Sequence, residues 1–224
     1  MQNPIPFLDA SLSFPDPNKA GPQGLLAAGG DLSPERLLLA YQSGIFPWFN
    51  EDSLILWWSP DPRMVLFPEE LRISKSMKKI IEKKTYTITR NQCFNDVISS
   101  CAETPRRGET GTWITPNMQN AYADLHQMGY AVSYETWHNN DLVGGLYGIE
   151  LGGVFCGESM FSKMPNASKQ AFIYMVQEQH SQGCRLIDCQ VHTAHLESLG
   201  ARPIARGEFL KLLLNANEKS NSRS

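Results

Sequence analysis

The chain has 224 residues, a length that buries about 70% of the unfolded surface and needs no disulfide support. Hydrophobic residues make up 42%, aromatics 10% and charged residues 19%, which excludes fibrous, coiled-coil and disordered compositions. With 20 Lys and Arg against 23 Asp and Glu the formal net charge is −3, so the chain is no polybasic nucleic-acid wrapper, and a nucleic-acid contact must come from a local patch.

Met1-Gln2-Asn3-Pro4-Ile5-Pro6 carries neither the basic nor the apolar run of a secretory leader, and no stretch approaches the ~20 apolar residues of a bilayer span. A cytoplasmic protein without membrane contact is expected. Cys93, Cys101, Cys156, Cys184 and Cys189 are odd in number and contain no C-x-x-C, the pattern of reduced thiols. His192 and His195 are spaced H-x-x-H with no third ligand nearby, so they read as surface or capping residues and no metal is expected.

The first 70 residues hold most of the prolines and, one helix apart, are expected to be irregular. Ser33 caps that helix, Pro34 suits its first position, Leu37, Leu38 and Tyr41 form its stripe, and Gly44 closes it. Ser74 opens a second helix with Met77, Ile80 and Ile81 on one face and Lys75, Lys78, Lys79, Lys83 and Lys84 on the other. A strand over 85–89 leads to a helix with Phe94, Val97, Ile98 and Cys101 at core spacing. Thr115-Pro116 starts another, with Met118, Tyr122, Leu125 and Met128 on one side and Gly129 as its stop. An antiparallel meander follows at 130–138, 142–149 and 154–160, turned by Asn139-Asn140-Asp141 and by Gly152-Gly153. Asn166 or Ser168 caps a helix reaching about 182, and 184–190 is an apolar strand with polar groups at its end. A short helix at 194–199, a strand near 201–205 and a last helix at 208–215 precede a polar tail, 218–224, expected to be disordered.

A helix, a meander, a helix and a strand in this order occur in acyl-CoA N-acyltransferases, where two splayed strands make a cleft for an acyl donor and an amine. The order suggests acyl transfer by analogy alone. Coenzyme A needs a glycine-rich nest of backbone N–H groups at the helix after the meander. The segment Ser162-Lys163-Met164-Pro165-Asn166-Ala167-Ser168-Lys169-Gln170-Ala171 has no glycine and contains a proline, so a donor, if there is one, is not coenzyme A.

Three groups of residues carry possible chemistry. Phe46, Trp48, Phe49, Trp57 and Trp58 fall within thirteen positions; they read either as the core of a small domain or as platforms for stacking a nucleobase, and Trp113 is a second candidate of that kind. The five lysines from Lys75 to Lys84 oppose only Glu82: a solvated helix face, or, beside aromatic platforms, a surface for RNA phosphates. Asp188 and Gln190 share one face of a strand by period-two alternation. Both need partners or a ligand, because an unpaired buried polar group costs about 1–3 kcal/mol; a structural hydrogen-bond network is the alternative.

These stretches resemble one family, the leucyl/phenylalanyl-tRNA–protein transferases. The resemblance lies in Gly24-Leu25-Leu26-Ala27, Gly29-Gly30-Asp31-Leu32-Ser33-Pro34, residues 44–49, 55–63, 111–115, 142–148 and 155–162, Asn166-Ala167-Ser168-Lys169, residues 186–190, and Ser198-Leu199-Gly200-Ala201. It implies an α+β fold: a small N-terminal α/β domain (1–62) with the aromatic-rich loop, and a C-terminal acyl-CoA-N-acyltransferase-like domain (63–217) with a mixed, mainly antiparallel sheet flanked by helices. It implies an aminoacyltransferase without a cofactor, a monomer, that moves Leu or Phe, less well Met, from aminoacyl-tRNA to the α-amine of an N-terminal Lys or Arg, tagging the acceptor for N-end-rule degradation. Carried over by position, Trp48 and Trp113 hold the terminal adenosine, Tyr122 and Glu158 line the same site, and Leu146 with neighbours around Gly157 shapes the pocket for the amino-acid side chain. The lysine helix matches the family's acceptor-stem surface, and Asp188 and Gln190 its proposed catalytic pair, with Asp188 orienting the amine and accepting its proton. Glu158 and Asp188 are both candidates for receiving the acceptor's cationic side chain. Two other readings stay open: a coenzyme A-dependent acetyltransferase, and a non-catalytic module that binds aminoacyl-tRNA.

Overall fold

The computed structural model describes residues 4–51, 53–104 and 112–221, with side chains to residue 216. Gly111 of the motif at 111–115, Met1-Gln2-Asn3 and residues 222–224 of the expected tail lie outside the described residues. The proline-rich first part is not irregular, as expected above, but builds short strands. These are β1 (Phe7–Leu8), β2 (Leu25–Gly29), β3 (Phe46–Pro47) and β4 (Leu56–Trp58), in a sheet ordered β1-β2-β4-β3. At two to five residues each, they are too short to show alternation. Between β2 and β3 runs α1 (Pro34–Gln42), which buries Leu37, Ala40 and Tyr41 and also Arg36, a residue outside the expected stripe.

The second sheet takes β5 (Arg63–Leu66), β6 (Thr87–Arg90), β7 (Ala131–His138), β8 (Asp141–Leu151), β9 (Val154–Ser162), β10 (Leu186–Gln190) and β11 (Arg202–Ile204), ordered β11-β5-β10-β9-β8-β7-β6. All its pairs are antiparallel except β9 with β10, so the sheet is mixed and mainly antiparallel. Alternation along β7 and β8 sends side chains to two cores. Ala131, Tyr147 and Ile149 join the core shared with α3 (Phe94–Glu103), α4 (Pro116–Gln127), α1 and the first sheet. Val132, Tyr134 and Leu146 join the core shared with α5 (Ala167–Ser181). The fold is thus α+β with helices on both faces of the large sheet.

Helix ends follow local chemistry. Ser74 accepts from the backbone N–H of Met77 to start α2 (Lys75–Glu82), and Thr115 does the same for Met118 at α4. Met128, expected on the buried side, lies past the end of α4 and is exposed. A short α6 (Ala194–Ser198) follows β10, and α7 (Arg206–Asn221) runs beyond the expected end at 215.

Candidate active site

β9 and β10 pair from Leu186 opposite Val154 to Asp188 opposite Cys156, and the pairing ends there. β9 continues to Ser162 while β10 stops at Gln190, whose φ of 60° is left-handed. Such a backbone costs a non-glycine residue about 1–3 kcal/mol and persists only where neighbours hold it. One holder is Asp188, whose Oδ1 accepts from the Gln190 backbone N–H at 2.9 Å. The strands part at Gly157, and a cavity of about 660 Å³ opens between them, within the usual range for small-ligand sites.

One wall is apolar: Leu146 from β8, Phe155 and Met160 from β9, Phe172 and Met175 from α5, and Ile187 from β10. Also lining it are Phe46 and Pro47 of β3, Trp48 just after that strand, and Trp113 before α4. Structure separates the two readings of the tryptophans. Trp57 is fully buried, donating Nε1–H to the carbonyl of Gly29 at 2.9 Å. Trp58 donates its Nε1–H to the carbonyl of Trp48 at 2.7 Å and packs ring to ring against it at 5.8 Å. Trp48 itself is 39% exposed, a braced ring facing the cavity.

Polar groups meet at the parting of the strands. Glu158 lines the cavity, accepting from Tyr122 Oη–H at 2.8 Å and from Gln190 Nε2–H at 2.7 Å. The Tyr122 hydroxyl is also hydrogen-bonded to that of Tyr41 on α1. Burial pushes the Glu158 carboxyl up to about 7, against the lowering effect of the donors Tyr41, Tyr122 and Gln190. Burial and the nearby Glu158 charge push both tyrosines well above their ordinary value.

Asp188 does not line this cavity. It lies behind the wall, 1% exposed, in a bidentate pair with Arg63 of β5: Nε to Oδ1 at 2.7 Å and Nη2 to Oδ2 at 2.6 Å. Arg63 also donates to the Gly44 carbonyl at 3.2 Å and lies between the rings of Phe46 and Phe209, 4.8 and 4.5 Å from their centroids. The network therefore runs Tyr41, Tyr122, Glu158, Gln190, Asp188, Arg63 without a break.

Of the residues singled out from sequence, Trp48, Trp113, Leu146, Gly157, Glu158 and Gln190 share the cavity lining. Tyr122, fully buried, reaches the site through its hydroxyl. Lys75, Lys78, Lys79, Lys83 and Lys84 do not line it; all five are exposed on and just after α2, whose Met77 is buried in the second core. Sequence reasoning missed Arg63 and Tyr41, which no spacing connects to the strand ends. It also missed His195: His192 is exposed with Glu197 at 3.1 Å, whereas His195 lines the cavity and burial lowers its pKa. The five cysteines are free thiols. Among the described residues no helix is long and apolar enough to cross a membrane.

In overall shape the chain is similar to a GCN5-related N-acetyltransferase from Kribbella flavida, at a TM-score of 0.38 and 12% identity, covering 75% of this chain and 60% of that one. Sequence relatives are far nearer. The chain is 57% identical to a leucyl/phenylalanyl-tRNA–protein transferase of Flavobacterium johnsoniae, over 92% of this chain and 98% of that protein. It is 59% identical to one of Nitrosomonas eutropha, over 86% and 82%. The model of the leucyl/phenylalanyl-tRNA protein transferase family matches residues 65–214, and that of the family's N-terminal domain matches residues 30–61. With the cleft between β9 and β10 and its braced tryptophan, these matches make the chain a member of the leucyl/phenylalanyl-tRNA–protein transferase family, an aminoacyltransferase.

Proposed function

We propose that the protein moves Leu or Phe, less well Met, from aminoacyl-tRNA to the α-amine of a protein's N-terminal Lys or Arg, marking that protein for N-end-rule degradation in the cytoplasm. The observation that carries this reading is one cavity joining exposed aromatic rings, an apolar wall and the Glu158–Gln190 pair. Trp48 and Trp113 stack the terminal adenosine, and Leu146 with the residues around Gly157 forms the wall that takes the side chain. An apolar wall discriminates by size, at about 1–3 kcal/mol per methylene, so Leu, Phe and Met are tolerated together. The exposed lysines of α2 hold acceptor-stem phosphates. The small N-terminal unit over 1–62 supplies Trp48, and the unit over 63–217 supplies the rest. The protein works as a monomer, since one chain carries every group named.

The chemistry is aminolysis of an activated ester, which needs placement more than force. The α-amine, with a pKa of about 7.7–8.0, is partly neutral near pH 7. Gln190 is the member of the catalytic pair that meets the substrate, and Asp188, held by Arg63, acts through it by fixing its backbone N–H.

The test mixes purified protein with radiolabelled Leu-tRNA and a peptide bearing N-terminal Arg, with the N-acetylated peptide as control. Label on the free peptide alone is the expected result. Binding of tRNA without transfer would overturn it in favour of a binding module.

A further inference from the structure

We infer that Glu158, rather than Asp188, removes the proton from the attacking amine, and that Tyr41 and Tyr122 are the positioning residues behind it. The inference rests on the transfer reaction proposed above. Three observations carry it. Glu158 is the carboxylate that lines the cavity, whereas Asp188 lies 1% exposed behind the wall. Both Asp188 oxygens are committed: Oδ1 accepts from Arg63 and the Gln190 N–H, and Oδ2 from Arg63. A carboxylate held bidentately by a guanidinium is a poor base, because protonation would leave the buried arginine charge unpaired. Among the described residues Glu158 has no such cation; Tyr122 and Gln190 each donate it one hydrogen bond, and the Tyr41 hydroxyl adds a further donor's effect. Its oxygens therefore keep lone pairs for an amine.

The arrangement behind Glu158 is directional. Tyr122 spends its proton on Glu158 Oε2, which leaves Tyr41 as the donor in the Tyr41–Tyr122 hydrogen bond. The two hydroxyls polarise one another toward the carboxylate, and both lie on helices packed in the core, so the carboxylate cannot swing away from the cavity.

The step balances without a further reagent. The amine nitrogen forms the amide bond to the aminoacyl carbonyl carbon, and the ester C–O bond breaks. One amine proton passes to Glu158, which then returns it to the departing ribose oxygen, so the carboxylate ends as it began.

Among the described residues, the groups around Glu158 that titrate or carry charge include Tyr41 on α1, Tyr122 on α4, Asp188 with its partner Arg63 across β10 and β5, and the buried Cys156 thiol on β9, which burial pushes well above its ordinary value. His195 lines the same cavity, but burial places it below its ordinary value of 6.5. Glu158, pushed up to about 7, lies where a general base works best near neutrality.

The experiment is single-turnover transfer from Phe-tRNA to a peptide with N-terminal Arg, followed across pH. In the unsubstituted protein two ionisations are expected to raise the rate, the acceptor's own amine and a second near pH 7. Glu158→Gln is expected to lose the second and to slow transfer about 10²–10⁴-fold, the usual worth of a general base, while still binding a non-reactive 3′-amide analogue of phenylalanyl-adenosine. His195→Gln keeps the step near 7, and Asp188→Asn keeps a step but moves it to lower pH, because a negative charge that raises the Glu158 carboxyl is gone. Tyr41→Phe moves it to higher pH, since a donor that favours the ionised form is gone. A Glu158→Gln rate within about tenfold of the unsubstituted protein, or a surviving step near 7, overturns the inference while leaving the transfer activity standing; no transfer by the unsubstituted protein overturns the activity itself.

A second readout avoids catalysis. The folded pKa of Glu158 exceeds its ordinary 4.5, so between about pH 4.5 and 7 the folded state holds a proton that the unfolded state has released. Stability from this group is fullest below that window and falls as pH rises through it; in Glu158→Gln the fall is expected to shrink, with the part due to Glu150, also raised by burial, remaining.

Discussion

The wall made by β9 and β10 and the lysine face of α2 handle charge in opposite ways. On the wall, every ionised group is answered by a neighbour: Asp188 by Arg63, both 1% exposed, and Glu158 by Tyr122 and Gln190. On α2, five lysines face water from a helix anchored by one buried methionine. A buried charge must be paired within the fold or the fold fails, whereas a solvated charge is free to wait for a ligand's phosphate. The first region holds geometry; the second is proposed to supply attraction.

The sharpest way to break this comparison is to remove one member of the buried pair. Asp188→Ala is expected to destabilise the protein by about 3–5 kcal/mol, because the Arg63 charge is left uncompensated; urea unfolding with an unchanged slope checks it. A loss comparable with that of a surface residue would show that the pair is not what holds the wall. Next in size is Trp48→Ala, expected to cost about 1–3 kcal/mol in binding the 3′-amide analogue with little change in stability, since that ring is already half in water. Leu146→Ala follows: the deeper pocket is expected to shift preference from Leu toward Phe, by up to about 1–3 kcal/mol, read from competing transfer of the two amino acids.

The smallest stability effect belongs to the lysines. Lys79→Ala and Lys83→Ala are each expected to leave stability within about 0.5 kcal/mol while weakening tRNA binding and lowering its salt dependence by about one unit of slope per lost phosphate contact. Salt-insensitive tRNA binding would sink the attraction assigned to α2.

The comparison also explains what could be read from sequence. The lysine face was legible because a helix repeats every 3.6 residues and its charges need no partner from elsewhere. The meander was legible for the same reason: alternation is local. The first sheet was not, because β1 and β3 have two residues each and owe their existence to partners rather than to pattern. Within the site, Gln190 stood out as a polar strand end and Trp48 as one ring in an aromatic run, while Glu158 came from the family resemblance. Which ring would face the cavity depended on Trp58 bracing Trp48 while Trp57 turned inward to Gly29. Arg63 and Tyr41 were illegible, since Arg63 reaches its partner across 125 positions of chain and Tyr41 across 81.

The seat of Arg63 also sets an order of events. Its guanidinium is enclosed by Phe46 from the first sheet, the carbonyl of Gly44 and Phe209 of α7, and Gly44 takes a larger residue only under strain, because its φ is +73° and a Cβ would stand 2.9 Å from the Phe209 ring and 2.6 Å from Leu210. During synthesis the aromatic run emerges well before the second wall of this enclosure. A nascent chain that ends before residue 206 is therefore expected to carry a half-built arginine seat, a loose Asp188 and a Gln190 without its tether, which limited proteolysis of such a chain beside the full one would reveal.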